Sequence, residues 1–145
     1  MHAHRRHFKD LLCSDIMSKD IIGIDTTTSL EEAWNLLQKH TIEALPVINK
    51  NSQLIGIITQ YDLAYTRFDK NINKNAGEDT IESIMQKDIK TAYPDQALIE
   101  LVPLFIKKDI HHLPVVNSQQ NIIGLVAQSD ILAALFRARY EEPHQ

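Results

Sequence analysis

The stretch Ile16–Ile21 (IMSKDI) decides the organisation of this 145-residue chain, because it returns 68 positions later as Ile84–Ile89 (IMQKDI). Two further stretches return at the same spacing, 45–49 as 113–117 and 55–62 as 123–130. Residues 15–64 align with 83–132 without a gap and share 18 identities in 50 positions. Self-similarity at a fixed spacing indicates a repeat architecture, here two copies of a unit of roughly 55 residues.

The repeats divide the chain into an N-terminal extension (1–13), a first repeat (14–68), a linker (69–80), a second repeat (81–136) and a C-terminal tail (137–145). Each repeat alone is small for an independent hydrophobic core. We therefore expect the two copies to pack on each other.

Composition excludes several classes of protein. Hydrophobic residues make up 43% and charged residues 23%, which is typical of a globular chain. The net charge of −4 argues against a nucleic-acid partner, and the single cysteine excludes an intramolecular disulfide. No apolar run approaches the roughly 20 residues of a membrane span, and no signal peptide is visible. We expect a cytoplasmic protein that does not span the membrane.

Both copies predict the same order of elements, β-α-β-β-α, and hence a mixed α/β fold. In the first copy these are a strand at Ile21–Asp25, a helix capped by Ser29, strands at Ala44–Asn49 and Leu54–Thr59, and a helix at Tyr61–Phe68. Ser29 and Glu32 have the spacing of a capping box. The two middle strands predict a hairpin, because the polar turn Asn49–Ser52 separates them.

Helical spacing predicts which side chains of the first long helix of each copy are buried. These are Leu30, Ala33, Trp34 and Leu37 in the first copy and Leu98, Leu101, Val102 and Phe105 in the second. We predict that Asp95 caps the second of these helices. Pro103 lies inside it, where a proline costs roughly 3 kcal/mol, so we expect a bend or a shifted helix start.

The repeated pattern resembles a tandem pair of CBS domains, also called a Bateman module. Its marks are Asp15–Asp20 at the start of a copy, Leu45–Ile48 in the middle, and the closing motif Gly56-x-x-Thr59-x-x-Asp62. The stretch Phe8–Asp20 also resembles the tails of HPP-type bacterial membrane proteins. The resemblance implies two repeats packed with pseudo-two-fold symmetry.

The function that this resemblance implies is regulatory rather than enzymatic. CBS pairs bind AMP, ADP, ATP or sometimes S-adenosylmethionine in clefts between the copies, and binding modulates a partner enzyme or membrane protein. The pairs often form homodimers, and they require no cofactor. The alternative is a dimerisation or interaction module that binds no ligand. The sequence does not support an enzymatic function, because it shows no nucleophile–base pair, phosphate-binding loop or dinucleotide fingerprint.

The closing motif suits a nucleotide on physical grounds. Gly56 would let the backbone approach a ligand closely, and the ionised Asp62 would accept hydrogen bonds from ribose hydroxyls. Thr59 adds a hydroxyl, and the unpaired N–H groups of the helix start would receive a phosphate. The competing interpretation is that Asp62 is only a favourable acid in a first helical turn.

The resemblance adds further residues to the Asp62 site. One is Ile57 of the first copy, and the others belong to the second copy: Thr91, Ile110, His111 and His112. It implies that Ile57 and Ile110 enclose the adenine and that a histidine faces the phosphate. Neighbouring strand residues point to opposite faces, so we expect at most one of the two histidines to reach the ligand.

By the same resemblance, a second and weaker site would combine Asp130 with Gly23, Ile42, Glu43 and Ala44. Ala127 replaces the threonine of the closing motif there. The carboxylate of Glu43 would repel a phosphate. We therefore expect the two sites to be unequal.

Two other groups of residues predict no chemistry. His2, His4 and His7 lie near the chain terminus, where we expect them to be solvated rather than to bind a metal. Cys13 has no catalytic partner nearby in sequence and is predicted to act as a small apolar residue.

Overall fold

The structure, a computed structural model, describes residues 7–69, 79–108 and 110–141. After a short 3-10 turn at Phe8–Asp10, its elements are α1 (Cys13–Ile16), α2 (Leu30–His40), β1 (Ala44–Ile48), β2 (Leu54–Thr59), α3 (Gln60–Asp69), α4 (Ile81–Ile84), α5 (Leu98–Lys107), β3 (His112–Val116), β4 (Ile122–Ala127) and α6 (Gln128–Glu141). The mixed α/β fold and its repetition are confirmed. Helices in these described ranges are too short or too polar to cross a bilayer.

The hairpin of the first repeat forms as predicted. β1 and β2 pair antiparallel, from Ala44 opposite Thr59 to Ile48 opposite Leu54. At the turn, Asn49 Oδ1 accepts the backbone N–H groups of Asn51 (2.9 Å) and Gln53 (3.0 Å). This side chain fixes the turn because it supplies acceptors that the strands cannot supply.

The predicted strand Ile21–Asp25 is reduced to a single bridge, in which Ile24 pairs in parallel with Val47. The next residue is Asp25, whose carboxylate accepts hydrogen bonds from the hydroxyl and the backbone N–H of Thr27. These hydrogen bonds hold the pKa of Asp25 below its usual value, and the bond from the Thr27 hydroxyl has the largest effect. The prediction was wrong in extent because this local Asx turn competes with strand pairing.

The two long helices begin at equivalent positions but are capped differently. Ser29 Oγ accepts the N–H of Glu32 at 3.0 Å, as predicted for α2. The prediction for Asp95 is wrong, because α5 follows Ala97, which has no capping side chain. The carbonyl of Leu11 instead accepts the N–H of Leu98 at 2.8 Å. The N-terminal extension thus supplies the acceptor that the second repeat lacks.

Two further expectations concern residues inside these helices. Pro103 lies inside α5, and the helix begins at Leu98, the equivalent of Leu30, so its start is not shifted. A bend at Pro103 stays a prediction. Trp34 is 40% exposed rather than part of the core. The buried face of α2 follows Ala33 and Leu37, and Trp34 is rotated about 100° away from Ala33 around a helix of 3.6 residues per turn.

The chain forms two compact units that differ from the sequence repeats. The first-repeat unit contains residues 21–89 and 119–122; the second-repeat unit contains the described residues of 1–20, 90–118 and 123–145. The first has a core of Ile24, Ala33, Leu37, Leu45, Val47, Ile58, Leu63, Ile81 and Met85. The second has a core of Phe8, Cys13, Ala92, Leu98, Leu101, Phe105, Leu113, Val115, Val126, Ile131 and Ala134. Each repeat therefore gives its opening segment to the unit of the other repeat.

A methionine and a glycine join the opening segment of the second repeat to the first-repeat unit. The Met85 thioether fills the space where a Cβ on Gly56 would lie. Beside it, Gln86 and Ile57 exchange both backbone hydrogen bonds, at 2.8 and 3.0 Å. The expectation that Gly56 leaves room for a ligand was wrong, because a side chain of the same unit occupies that room.

The second-repeat unit contains the equivalent arrangement. Met17 fills the Cβ position of Gly124, and Ser18 exchanges backbone hydrogen bonds with Leu125 at 2.9 and 3.0 Å. The methionine and the glycine that recur in both repeats therefore contact each other, and this contact occurs once in each unit.

Replacing Phe8 by alanine tests whether the extension is part of the second core. Phe8 is buried in the core that also contains Leu98, Leu101 and Phe105, so Phe8→Ala should lower the free energy of unfolding by about 3–5 kcal/mol. Phe136, which is 64% exposed, provides the control: Phe136→Ala should change it by less than about 1 kcal/mol. Urea denaturation measures both, and equal losses would contradict this assignment.

Candidate functional site

Thr59 and Asp62 form a reciprocal pair at the start of α3. Asp62 Oδ2 accepts the backbone N–H of Thr59 at 2.9 Å, and Thr59 Oγ1 accepts that of Asp62 at 3.1 Å. This is the geometry of a capping box. The pair therefore has a structural role, and both half-buried side chains are held in fixed orientations. The Thr59 hydroxyl keeps its own O–H as a donor.

The Asp62 carboxylate also receives a side chain that the sequence did not single out. Gln86 Nε2 lies 3.1 Å from Oδ2 and 3.4 Å from Oδ1 of Asp62. The backbone bridge to Ile57 brings Gln86 to this position. Sequence reasoning missed it because the two residues are 24 positions apart and lie in different repeats. The one available signal was that Gln86 replaces Ser18 within an otherwise repeated stretch.

Two of the N–H groups at the start of α3, which were expected to be unpaired and to receive a phosphate, already have partners. The N–H of Gln60 donates to the Glu43 carbonyl at 3.1 Å, and that of Asp62 donates to Thr59. The expectation was wrong for these two groups, because the preceding strand and the capping threonine already satisfy them.

The second repeat has half of the same arrangement. Asp130 Oδ2 accepts the N–H of Ala127 at 3.1 Å, but alanine offers no hydroxyl in return. The N–H of Gln128 donates to the carbonyl of His111 at 2.8 Å, as Gln60 does to Glu43. In the part of the chain that the structure describes, no side-chain donor lies on Asp130.

The predicted site residues are divided between the two units. The first-repeat unit holds Ile57, Thr59 and Asp62, together with Gly23, Ile42, Glu43 and Ala44 of the second predicted site; the second-repeat unit holds Thr91, Ile110, His111, His112 and Asp130. Ile57 is 4% exposed. His112 begins β3 and is half-buried, whereas His111 precedes the strand and is exposed. The structure brings Thr59 and Asp62 together and adds Gln86; grouping across the two units stays a prediction.

Cys13 is fully buried, as predicted, in the core of the second-repeat unit. Burial, assisted by the charge of Asp95, raises the pKa of its thiol to about 11. The thiol therefore stays protonated and unreactive at neutral pH. His2 and His4 lie outside the described residues; within them, no three His, Cys, Asp or Glu side chains are placed to share a metal ion.

Comparison with known proteins agrees with the repeat structure. The model of the CBS domain matches residues 13–68 and again residues 81–137. This chain belongs to the CBS-domain family. CBS-domain pairs are regulatory modules, and their fold is not a catalytic one.

Relatives of this CBS-domain chain include parts of longer proteins. It is 34% identical over 118 residues to a homoserine O-acetyltransferase of Methanohalobium evestigatum, a match that covers 81% of this chain and 23% of that protein. The chain thus spans about a quarter of the length of this curated relative.

Solved structures show the same fold. The CBS domain pair of protein MJ0100, in complex with 5′-methylthioadenosine and S-adenosyl-L-methionine, is 32% identical with a TM-score of 0.76; the match covers 87% of this chain and 99% of that one. CBSX2 in complex with AMP has a TM-score of 0.78 at 21% identity, and the match covers 88% of this chain and 98% of that one. This second likeness is one of fold alone.

The capping role of Thr59 predicts opposite effects for two substitutions. Thr59→Ala removes the acceptor for the Asp62 N–H and should lower the free energy of unfolding by about 0.5–2 kcal/mol. Ala127→Thr should raise it, because it completes the box in front of Asp130. Thermal or urea unfolding of both variants measures the change. A stability gain in the first, or a loss above about 1 kcal/mol in the second, would be incompatible with this role.

Proposed function

We propose that this CBS-domain chain is a regulatory module that binds an adenosine-containing ligand at Asp62 and Thr59 and thereby modulates a partner protein. The observation that carries the proposal is the ligand pair of the MJ0100 structure, since both of its ligands contain adenosine. That structure is 32% identical, and the match covers nearly its whole length.

The chemistry of the pair supports recognition of the ribose. An ionised carboxylate accepts hydrogen bonds from two neighbouring hydroxyl groups, and such charge-assisted bonds are stronger than neutral ones. Thr59 can donate its hydroxyl to the same ligand. Because the capping box already orients both side chains, little further ordering is needed when a ligand binds.

The ligands to be tested are AMP, ADP, ATP, S-adenosylmethionine and 5′-methylthioadenosine. The N–H groups of Gln60 and Asp62 already have hydrogen-bond partners, so they do not serve as phosphate donors. Adenosine is then the group that these ligands share. Thr91, Ile110, His111 and His112 are further proposed contacts. The site at Asp130 is proposed to be weaker, because it lacks the threonine.

Regulation would follow from a shift of population. A ligand can change the state of a partner only to the extent that it binds two states of the module differently. We propose that the partner is an enzyme or a membrane protein, either in the same polypeptide or in a separate one. The enzyme relative is consistent with the first arrangement, because only 23% of its length matches this chain.

A second candidate function is dimerisation without a ligand. Large apolar side chains are exposed on α5 and α6, namely Ile99, Ile106, Leu132 and Phe136. A second copy of the chain would bury them. This candidate predicts a dimer by light scattering whose thermal midpoint does not change with any of the five ligands, whereas a ligand that binds the folded state must raise it.

Calorimetry on two matched variants tests the leading proposal. Asp62→Asn removes a charge-assisted acceptor and should weaken adenosine-ligand binding about 10- to 100-fold. Asp130→Asn makes the same change in the other repeat and should leave the tighter binding step nearly unchanged. Circular dichroism checks that both variants are folded. The proposal fails if folded wild-type protein binds none of the five ligands, or if both variants lose affinity equally.

A further inference from the structure

The carboxylate oxygens of Asp62, which a ribose would need as acceptors, already have the side-chain amide of Gln86 as a donor. Gln86 Nε2 lies within 3.4 Å of both carboxylate oxygens. The vicinal hydroxyls of a ribose would donate to these same two oxygens, with one hydrogen bond to each. Gln86 and a ribose would therefore compete for the same carboxylate.

The backbone around Gln86 fixes this position, while its side chain can still turn away. Both backbone hydrogen bonds to Ile57 hold the residue beside β2, and the preceding Met85 is buried on Gly56. Gln86 itself is exposed. Its side chain can thus leave Asp62 for solvent by rotation about its own bonds, without unfolding of the segment.

The other repeat shows what the chain looks like without this donor. Ser18, the equivalent of Gln86, makes the same backbone hydrogen bonds with Leu125. Its side chain has one carbon atom where glutamine has three, and the described residues place no side-chain donor on Asp130. The amide on Asp62 is therefore a property of one repeat and not of the shared fold.

We infer that Gln86 is a specificity-determining residue, whose amide occupies the ribose position on Asp62 and must be displaced by a ligand that carries a vicinal diol. This inference rests on the proposed function. A ligand without the diol gains nothing on Asp62 and does not displace the amide. Gln86 thus sets the threshold concentration at which a ribose-containing ligand binds.

Titration with adenosine, the group that all five candidate ligands share, tests the inference. Gln86→Ser introduces the residue that the other repeat already carries, and it should tighten adenosine binding about three- to tenfold, which corresponds to one net hydrogen bond. The gain should vanish with 2′,3′-dideoxyadenosine, which lacks both hydroxyls. Gln86→Ala must change affinity in the same direction, and Lys87→Ser, in the adjacent exposed position, should change it less than twofold.

Nuclear magnetic resonance supplies a readout that a merely structural role would not change. The side-chain amide signals of Gln86, assigned by their loss in Gln86→Ser, should move toward those of a solvent-exposed glutamine when adenosine is added, and should not move with 2′,3′-dideoxyadenosine.

The outcomes separate the two proposals. Weaker or unchanged adenosine binding in both Gln86 variants, or stationary amide signals at saturation, would overturn the competition while leaving the proposed function intact. Binding of nucleotides without any binding of adenosine would do the same. Absence of binding by all five ligands and by adenosine would overturn both proposals.

Discussion

The contact of a methionine with a glycine is the constraint on which the rest of this structure depends. Met85 occupies the space above Gly56, and Met17 occupies the space above Gly124. A larger residue at either glycine would collide with the thioether, and a well-packed core tolerates such overpacking poorly. The two glycines therefore allow each opening segment to lie against a sheet of the other repeat's unit. The compact units differ from the sequence repeats for this reason.

The same contact determines the composition of the candidate site. With Met85 in place, the next residue pairs with Ile57, and its side chain reaches the Asp62 carboxylate. The backbone N–H of Thr59 donates to the same oxygen, Oδ2, as part of the capping box. The second-repeat unit has the same backbone arrangement but Ser18 and Ala127 in place of the two polar side chains. The two sites thus share one backbone arrangement and differ in the side chains that it carries.

Local patterns predicted most of the elements. The hairpin and the Ser29 cap follow from residues within a few positions of each other, and the structure confirms them. Two predictions failed because a distant segment decides the outcome. In the first, the carbonyl of Leu11, not Asp95, accepts the N–H at the start of α5. The role of Gly56 was misjudged for the same reason, because its neighbour Met85 is 29 positions away in sequence. Within the site, the Thr59–Asp62 pair was predictable from spacing, whereas Gln86 was not.

A double-mutant cycle on Gly56 and Met85 tests most directly whether the opening segment of the second repeat belongs to the first-repeat unit. Gly56→Ala alone should lower the free energy of unfolding by about 1–3 kcal/mol, but in a Met85→Ala background its cost should fall by about 1 kcal/mol or more, because the space is then empty. Gly23→Ala, whose added Cβ would meet Ile48 at an ordinary 3.4 Å, should be additive with Met85→Ala. Additivity of Gly56→Ala and Met85→Ala within about 0.5 kcal/mol would contradict the account.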